Sequence, residues 1–234
     1  MTESAHSVLL AWSGGKDSSL ALAALQADPH LRVIGLVTTV TAGYDRISIH
    51  GVRRSILQAQ AASLGLPVFE ATLTPQSTNE DYKTAWAGGL RRARAALGSV
   101  NTVAFGDIFL EDVRRYRESL GERIGYKSIF PLWGRDTREL AAEFIDAGYE
   151  AYLTCVDTTQ LSADFAGRRF DMKMLSDLPV SVDPCGERGE FHTCVVDGPL
   201  FSERIVVECR ERVRREERFE YCDLVPIPAG SVGN

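Results

Sequence analysis

A chain of 234 residues, 44% of them hydrophobic, is long enough to bury one large core, or a core with a smaller appendage, and reads as globular. Its formal net charge of -6 excludes an overall basic footprint for a nucleic-acid backbone and leaves only local basic patches. The N-terminus shows no charged region followed by an apolar stretch, and no apolar run reaches the roughly 18 residues that span a bilayer, so a cytoplasmic protein with no membrane attachment is expected.

In chain order the patterns alternate. Residues 8–11 are a short apolar strand that ends at a glycine pair, and residues 18–26 follow as a helix rich in Ala and Leu. A β-branched strand is predicted over 33–40 and a helix over 53–64, closed by Gly65 with Pro67 just beyond. A strand over 67–73, a helix over 82–97 and a strand over 102–105 come next, the last ending at Gly106 and Asp107. Residues 114–124 read as helix, 127–131 as extended chain and 138–147 as helix. Such alternation predicts βαβ units and an α/β fold with a mostly parallel twisted sheet.

Near residue 150 the texture changes. A strand is expected over 151–156, then loops, then hairpin strands over 191–196 and 204–208. The predicted division is a nucleotide-binding domain over 1–140 and a smaller C-terminal α+β lobe over 141–234, with the boundary somewhere in 135–150. The final "PIPAGSVGN" is expected to fray. Five cysteines (Cys155, Cys185, Cys194, Cys209 and Cys222) form an odd set without a C-x-x-C pair, which argues for free or buried thiols over a disulfide framework or zinc ribbon. The run 210–219 alternates basic and acidic residues and is expected to be a solvated face.

The segment "SGGKDS", residues 13–18, sits where a strand turns into a helix. Gly14 and Gly15 permit close backbone approach to an anion, Lys16 adds charge, and Ser13 and Ser18 add hydroxyls, so the turn is a phosphate cradle. It is neither G-x-x-x-x-G-K-[ST] nor G-x-G-x-x-G. The string resembles the PP-loop, S-G-G-x-D-S, of the ATP pyrophosphatases, matching at Ser13, Gly14, Gly15, Asp17 and Ser18. That resemblance implies an adenine nucleotide α-hydrolase sheet and cleavage of ATP between its α- and β-phosphates.

A second segment, "DPCGERGEFHT" at 183–193, gathers Glu187, Glu190, His192 and Thr193 around Gly186 and Gly189. It resembles the C-G-E-x-G-E-[YF]-x-T signature of the diphthine–ammonia ligase family, and "GDIFLEDVRRYRE", "PLWGRD" and "DGPLF" fall in that family's order. The resemblance spans roughly residues 7–208. At the middle motif the eukaryotic and archaeal pattern is approximately G-x-I-x-S-x-Y-Q-R, whereas residues 106–114 here read GDIFLEDVR. The serine, tyrosine and glutamine are absent, so the chain resembles a bacterial branch of the family, and the chemistry carries over further than the acceptor.

The resemblance implies ATP and Mg²⁺ as cofactors, a small-molecule or protein carboxylate acceptor, and ammonia or an amine as donor. An acyl-adenylate and pyrophosphate would form first, and the amine would then displace AMP. Ser13, Gly14, Gly15, Lys16, Asp17, Ser18, Gly106 and Asp107 are the expected nucleotide contacts. Asp17 and Asp107 are the candidate metal ligands, although Asp107 is equally a helix cap or turn aspartate. Asp17, Glu187, Glu190 and His192 are the catalytic candidates, the glutamates as groups that hold ammonium or accept a proton. His50, Trp133, Cys185, Gly186, Glu187, Gly189, Glu190 and Thr193 are expected to line the acceptor or amine site. A histidine in a strand-end loop is also commonly structural, and Trp12 reads as core. Two alternatives stand beside the ligase: a PP-loop enzyme acting on tRNA, disfavoured by the acidic balance and missing relay cysteines, and a nucleotide-binding sensor of the universal-stress type. Nucleic acid is not an expected partner, and a homodimer is left open.

Overall fold

The computed structural model describes residues 5–47 and 51–227. His50 lies outside the described residues, as does most of the C-terminal stretch expected to fray. The elements run β1 (His6–Ala11), α1 (Lys16–Ala27), β2 (Leu31–Thr41), β3 (Arg46–Ile47), α2 (Arg54–Leu64), β4 (Val68–Leu73), α3 (Asn79–Leu97), β5 (Thr102–Ala104) and α4 (Glu111–Ile124). They continue with β6 (Lys127–Ile129), α5 (Thr137–Asp146), β7 (Glu150–Asp157), α6 (Met172–Asp177), β8 (Phe191–Asp197), β9 (Val207–Arg215) and β10 (Phe219–Pro226).

Two compact units interleave in sequence. Among the described residues, the first comprises those of Met1–Ser13, Asp17–Asp45 and Gly65–Arg135, and the second those of Gly14–Lys16, Arg46–Leu64 and Asp136–Asn234. In the first unit five parallel strands lie in the order β4-β2-β1-β5-β6. Val8, Leu9 and Leu10 of β1 are buried in succession without alternation, the pattern of a strand covered on both faces. Trp86, Leu90 and Ala93 of α3 pack with Leu9, Val37, Ala71 and Val103 in one apolar cluster. The helix begins at a capping box in which Thr78 and Asp81 exchange hydrogen bonds, satisfying amides that its first turn leaves open.

The second unit carries an antiparallel sheet in the order β8-β7-β10-β9. Leu140, Ala141 and Phe144 of α5 are buried, and the Phe144 ring stacks on Tyr149 at 4.8 Å and meets Phe170 edge-on at 5.5 Å. The chain is thus α/β, with a mostly parallel sheet and a smaller antiparallel one that belongs to an α+β lobe. No helix among the described residues is long and apolar enough to cross a membrane.

Two expectations need correction. Cys209 and Cys222 form a disulfide between β9 and β10. The spacing rules missed it because the partners meet through hairpin register rather than through a short motif. Cys155, Cys185 and Cys194 are not disulfide-bonded, and all three are buried. Residues 204–208 are not a strand of their own: β9 starts at Val207 and runs to Arg215, paired with β10. From Cys209 onward its residues are exposed and most are charged, so no apolar alternation marked them, although the solvated face expected of 210–219 is present as the end of β9 and the turn after it.

Candidate active site

Strand β1 is central in its sheet. From it the chain moves one way to β2 and β4, then returns to the other side for β5 and β6. The order therefore reverses between β1 and β5, and the carboxyl ends of these two strands form the crevice where an open α/β sheet takes its ligand. Ser13 follows β1 there, and α1 begins at Lys16. The Ser13 hydroxyl donates to Ser18 Oγ at 3.3 Å, closing the turn that precedes the positive end of the twelve-residue helix.

Gly106 comes just after β5, and a Cβ built on it would lie 3.0 Å from the carbonyl carbon and oxygen of Asp17 and 3.2 Å from Ser18 N. Any larger residue there would have to push the strand end a few tenths of an ångström away from the first turn of α1. The next residue, Asp107, accepts at Oδ2 from Arg117 Nε at 3.2 Å. Arg117 Nη1 also donates to the Tyr82 hydroxyl at 3.3 Å, and the guanidinium lies 4.6 Å from the Phe105 ring centre. Burial works against the Arg117 charge, but Asp107 and Tyr82 outweigh it and raise the pKa. Nearby, Trp133 is half-buried, edge-on to Phe130 at 5.9 Å and covered by the Arg114 guanidinium at 4.6 Å.

The middle of the "SGGKDS" loop is tied to β8. The Gly14 carbonyl accepts from Val195 N at 2.8 Å and from Gln60 Nε2 at 3.0 Å. The same amide nitrogen of Gln60 donates to the Val195 carbonyl at 2.7 Å. Gly14 has φ +77°, and a Cβ there would stand 2.8 Å from Gln60 Oε1, so the position requires glycine on two counts. Lys16 N donates to Thr193 Oγ1 at 3.0 Å. The Lys16 side chain, 2% exposed, donates from Nζ to the Cys185 carbonyl and lies 5.7 Å and 5.9 Å from the ring centres of Phe191 and Phe170. Its ammonium is thus directed at the signature segment.

That segment is a turn held from inside. Asp183 Oδ1 accepts from Cys185 N at 2.9 Å and Glu187 N at 3.2 Å, and Oδ2 accepts from the Thr137 hydroxyl at 2.7 Å. Glu190, 1% exposed, accepts from Asp183 N at Oε1 and from Arg188 N at Oε2, both at 2.9 Å. With each carboxylate oxygen on a backbone amide, Glu190 holds the turn closed, while Glu187 stands half-buried at its rim. Gly186, at φ +68°, packs its α-carbon against the Phe191 carbonyl, and Gly189 is also in the left-handed region. Burial first, and then the Lys16 charge, push the His192 imidazole down to about 4, so it is neutral at pH 7. Burial raises Cys155 to about 11 and Cys194 to about 12, which keeps both as thiols.

Gln60 and Arg117 were not singled out from sequence. Gln60 had a signal: it follows Ile56 and Leu57 by four and three residues, which puts an amide on the apolar face of α2. Arg117 had none, since it is one of several arginines in α4.

A parallel sheet whose glycine loop enters a helix at the switch point defines a nucleotide-binding α/β protein of the PP-loop type. Residues 6–128 match the diphthamide synthase N-terminal domain and residues 136–224 the diphthamide synthase C-terminal domain, and the chain belongs to that family. It is 28% identical to a diphthine–ammonia ligase of Schizosaccharomyces pombe over 91% of its own length, spanning 38% of that longer protein. It is 27% identical to the diphthine–ammonia ligase of Danio rerio, with 86% of each chain covered. A solved structure described as a predicted subunit of tRNA methyltransferase from Methanocaldococcus jannaschii superposes with a TM-score of 0.41 at 20% identity, over 82% of this chain and 96% of that one.

Proposed function

We propose that this protein is an ATP-dependent ligase that joins a carboxylate acceptor to ammonia, with release of AMP and pyrophosphate. The observation that carries the reading is the "SGGKDS" loop at the switch point of the sheet, its backbone bonded to the strand that follows the "CGERGE" segment. Membership of the diphthamide synthase family and the named activity of the relatives support it.

ATP is a substrate here, and it supplies the adenylyl group that activates the acceptor carboxylate. On this reading Ser13, Gly14, Gly15, Asp17 and Ser18 receive its phosphates at the helix N-terminus, and Gly106 makes room for Asp107 beside that turn. No group of three or more His, Cys, Asp or Glu among the described residues forms a metal cage. That fits Mg²⁺, which keeps most of its waters and is carried on substrate phosphates by one or two carboxylates. Asp17 and Asp107 are the residues that would hold it. Glu187 is the carboxylate placed to hold ammonium or take its proton, Glu190 positions the turn, and neutral His192 serves as a hydrogen-bonding wall. The acceptor is assigned only as a carboxylate, because the serine, tyrosine and glutamine of the middle motif are replaced here.

The test is a product analysis. The full chain is incubated with ATP, Mg²⁺, ammonium and candidate carboxylates, diphthine-bearing protein among them, and the nucleotides are separated by chromatography. AMP and pyrophosphate that appear only with an acceptor are expected; ADP as the main product overturns the reading.

A further inference from the structure

We infer that Lys16 is a positioning residue for the signature turn rather than a phosphate ligand, and that through it the state of the nucleotide loop is felt at Glu187. The inference rests on the ligase reading, because it assigns roles within that reaction. A lysine inside a phosphate loop is ordinarily a charge for the phosphates, as a point cation on a flexible stem. Here the stem is buried and the ammonium donates to the Cys185 carbonyl, flanked by the faces of Phe170 and Phe191. The carbonyl and the two π-faces replace part of its water.

The backbone completes the link. Lys16 N is engaged by Thr193 Oγ1 and the Gly14 carbonyl by Val195 N and Gln60 Nε2, so residues 14–16 and β8 move as one piece. Cys185 is in turn fixed by its own amide to Asp183 Oδ1, the oxygen that also receives Glu187 N. A shift of the loop on binding phosphate thus pulls on the Cys185 carbonyl, and Asp183 passes the shift to the Glu187 backbone. Coupling of this kind is reciprocal. Occupancy of the amine position then tightens the nucleotide loop, which orders the two half-reactions.

The experiment uses the full chain, a non-hydrolysable analogue with a methylene between the α- and β-phosphorus atoms, and Lys16→Met, which keeps the stem and removes the ammonium. In the wild type the analogue is expected to slow hydrogen exchange over residues 183–190. In Lys16→Met its affinity is expected to be nearly unchanged, while exchange over 183–190 is about tenfold faster and no longer responds to it. With ammonium and an accepted carboxylate, kcat for amide formation should fall while KM for ATP holds. The inference is overturned if affinity for the analogue drops tenfold or more, which would make Lys16 a phosphate contact, or if the response of 183–190 survives in Lys16→Met. It is equally overturned if the wild-type turn ignores a bound analogue.

Thr193→Val, which removes the acceptor of Lys16 N, is the second variant should Lys16→Met not fold, and it should weaken the same response. If the analogue fails to bind the wild type at all, it is the ligase reading that falls. The nucleotide-free comparison of exchange in wild type and Lys16→Met still decides the tether.

Discussion

Gly14 and Gln60 define each other's identity. The Gln60 amide nitrogen donates to the Gly14 carbonyl, and its oxygen stands where the Cβ of any larger residue at 14 would fall. Gly14→Ala would force a left-handed backbone on an L-residue, at about 1–2 kcal/mol, and would push the Gln60 amide off both of its carbonyls. The expected outcome is a lower melting temperature and loss of nucleotide affinity by about tenfold or more. Calorimetry with the ATP analogue checks it; an Ala variant that binds normally would show that the loop geometry is not what holds the phosphates.

Gln60→Leu keeps the volume and removes the donor. The Val195 carbonyl loses its Gln60 partner, and a buried polar group left unmade costs about 1–3 kcal/mol. Chemical denaturation should show a loss of that size, and nucleotide affinity should weaken with it. Full stability in the variant would mean that another group takes over the Gln60 bonds.

The two signature glutamates should separate cleanly. Glu190→Gln places an NH₂ group against one of two backbone amides, so its first effect is a stability loss of about 1–3 kcal/mol. Glu187→Gln sits at the rim and should leave the melting temperature alone, yet slow amide formation by about 10²-fold. Thermal melts paired with single-turnover assays distinguish them. Equal effects on stability would remove the division of labour.

His192 gives stability a pH dependence. Its folded value of about 4 lies below the ordinary 6.5, so the unfolded chain binds the proton more readily. The contribution of the neutral ring is fully present above pH 6.5 and is lost as pH falls from 6.5 toward about 4. Urea melts at pH 7.0, 5.5 and 4.5 should show His192→Asn losing less stability over that window than the wild type. A steeper loss in the variant would reverse the sign.

Asp107→Asn would leave the Arg117 guanidinium, largely buried, with the Tyr82 hydroxyl and the Phe105 face. Partial exposure of the pair limits the loss to about 1–2 kcal/mol. Tyr82→Phe should cost less, about 0.5–1.5 kcal/mol. Denaturation of both variants and of the double variant measures the coupling; strict additivity would mean that the three groups do not act together.

Much of the parallel unit was legible because its strands are continuous apolar runs, such as 8–11, that alternate with helix-forming stretches. The "SGGKDS" turn was legible as a strand-to-helix turn because its two glycines follow an apolar run and precede a stretch of helix formers. What escaped were features set by distant chain. That Lys16 turns toward Cys185 depends on a partner 169 residues further along the chain. The amides that Glu190 accepts from, Asp183 N and Arg188 N, are near in sequence, but the turn that aims them at its carboxylate has no spacing signal of its own. The β9–β10 hairpin escaped because charge on an exposed strand hides the period that a buried face would impose.

The position of β8 has a consequence for how its sheet ends. In the order β8-β7-β10-β9, the two outer strands would each offer a row of backbone groups to any passing extended chain. At β9 the guard is chemical: Arg210, Arg212 and Arg214 alternate with Cys209, Glu211 and Val213, and a strand docking there would have to strip water from guanidinium groups. At β8 the guard is the "SGGKDS" turn itself, which occupies both outward groups of Val195 together with Gln60. A substitution that loosens this turn would therefore unmask a sticky rim, and such variants should self-associate when warmed before they unfold.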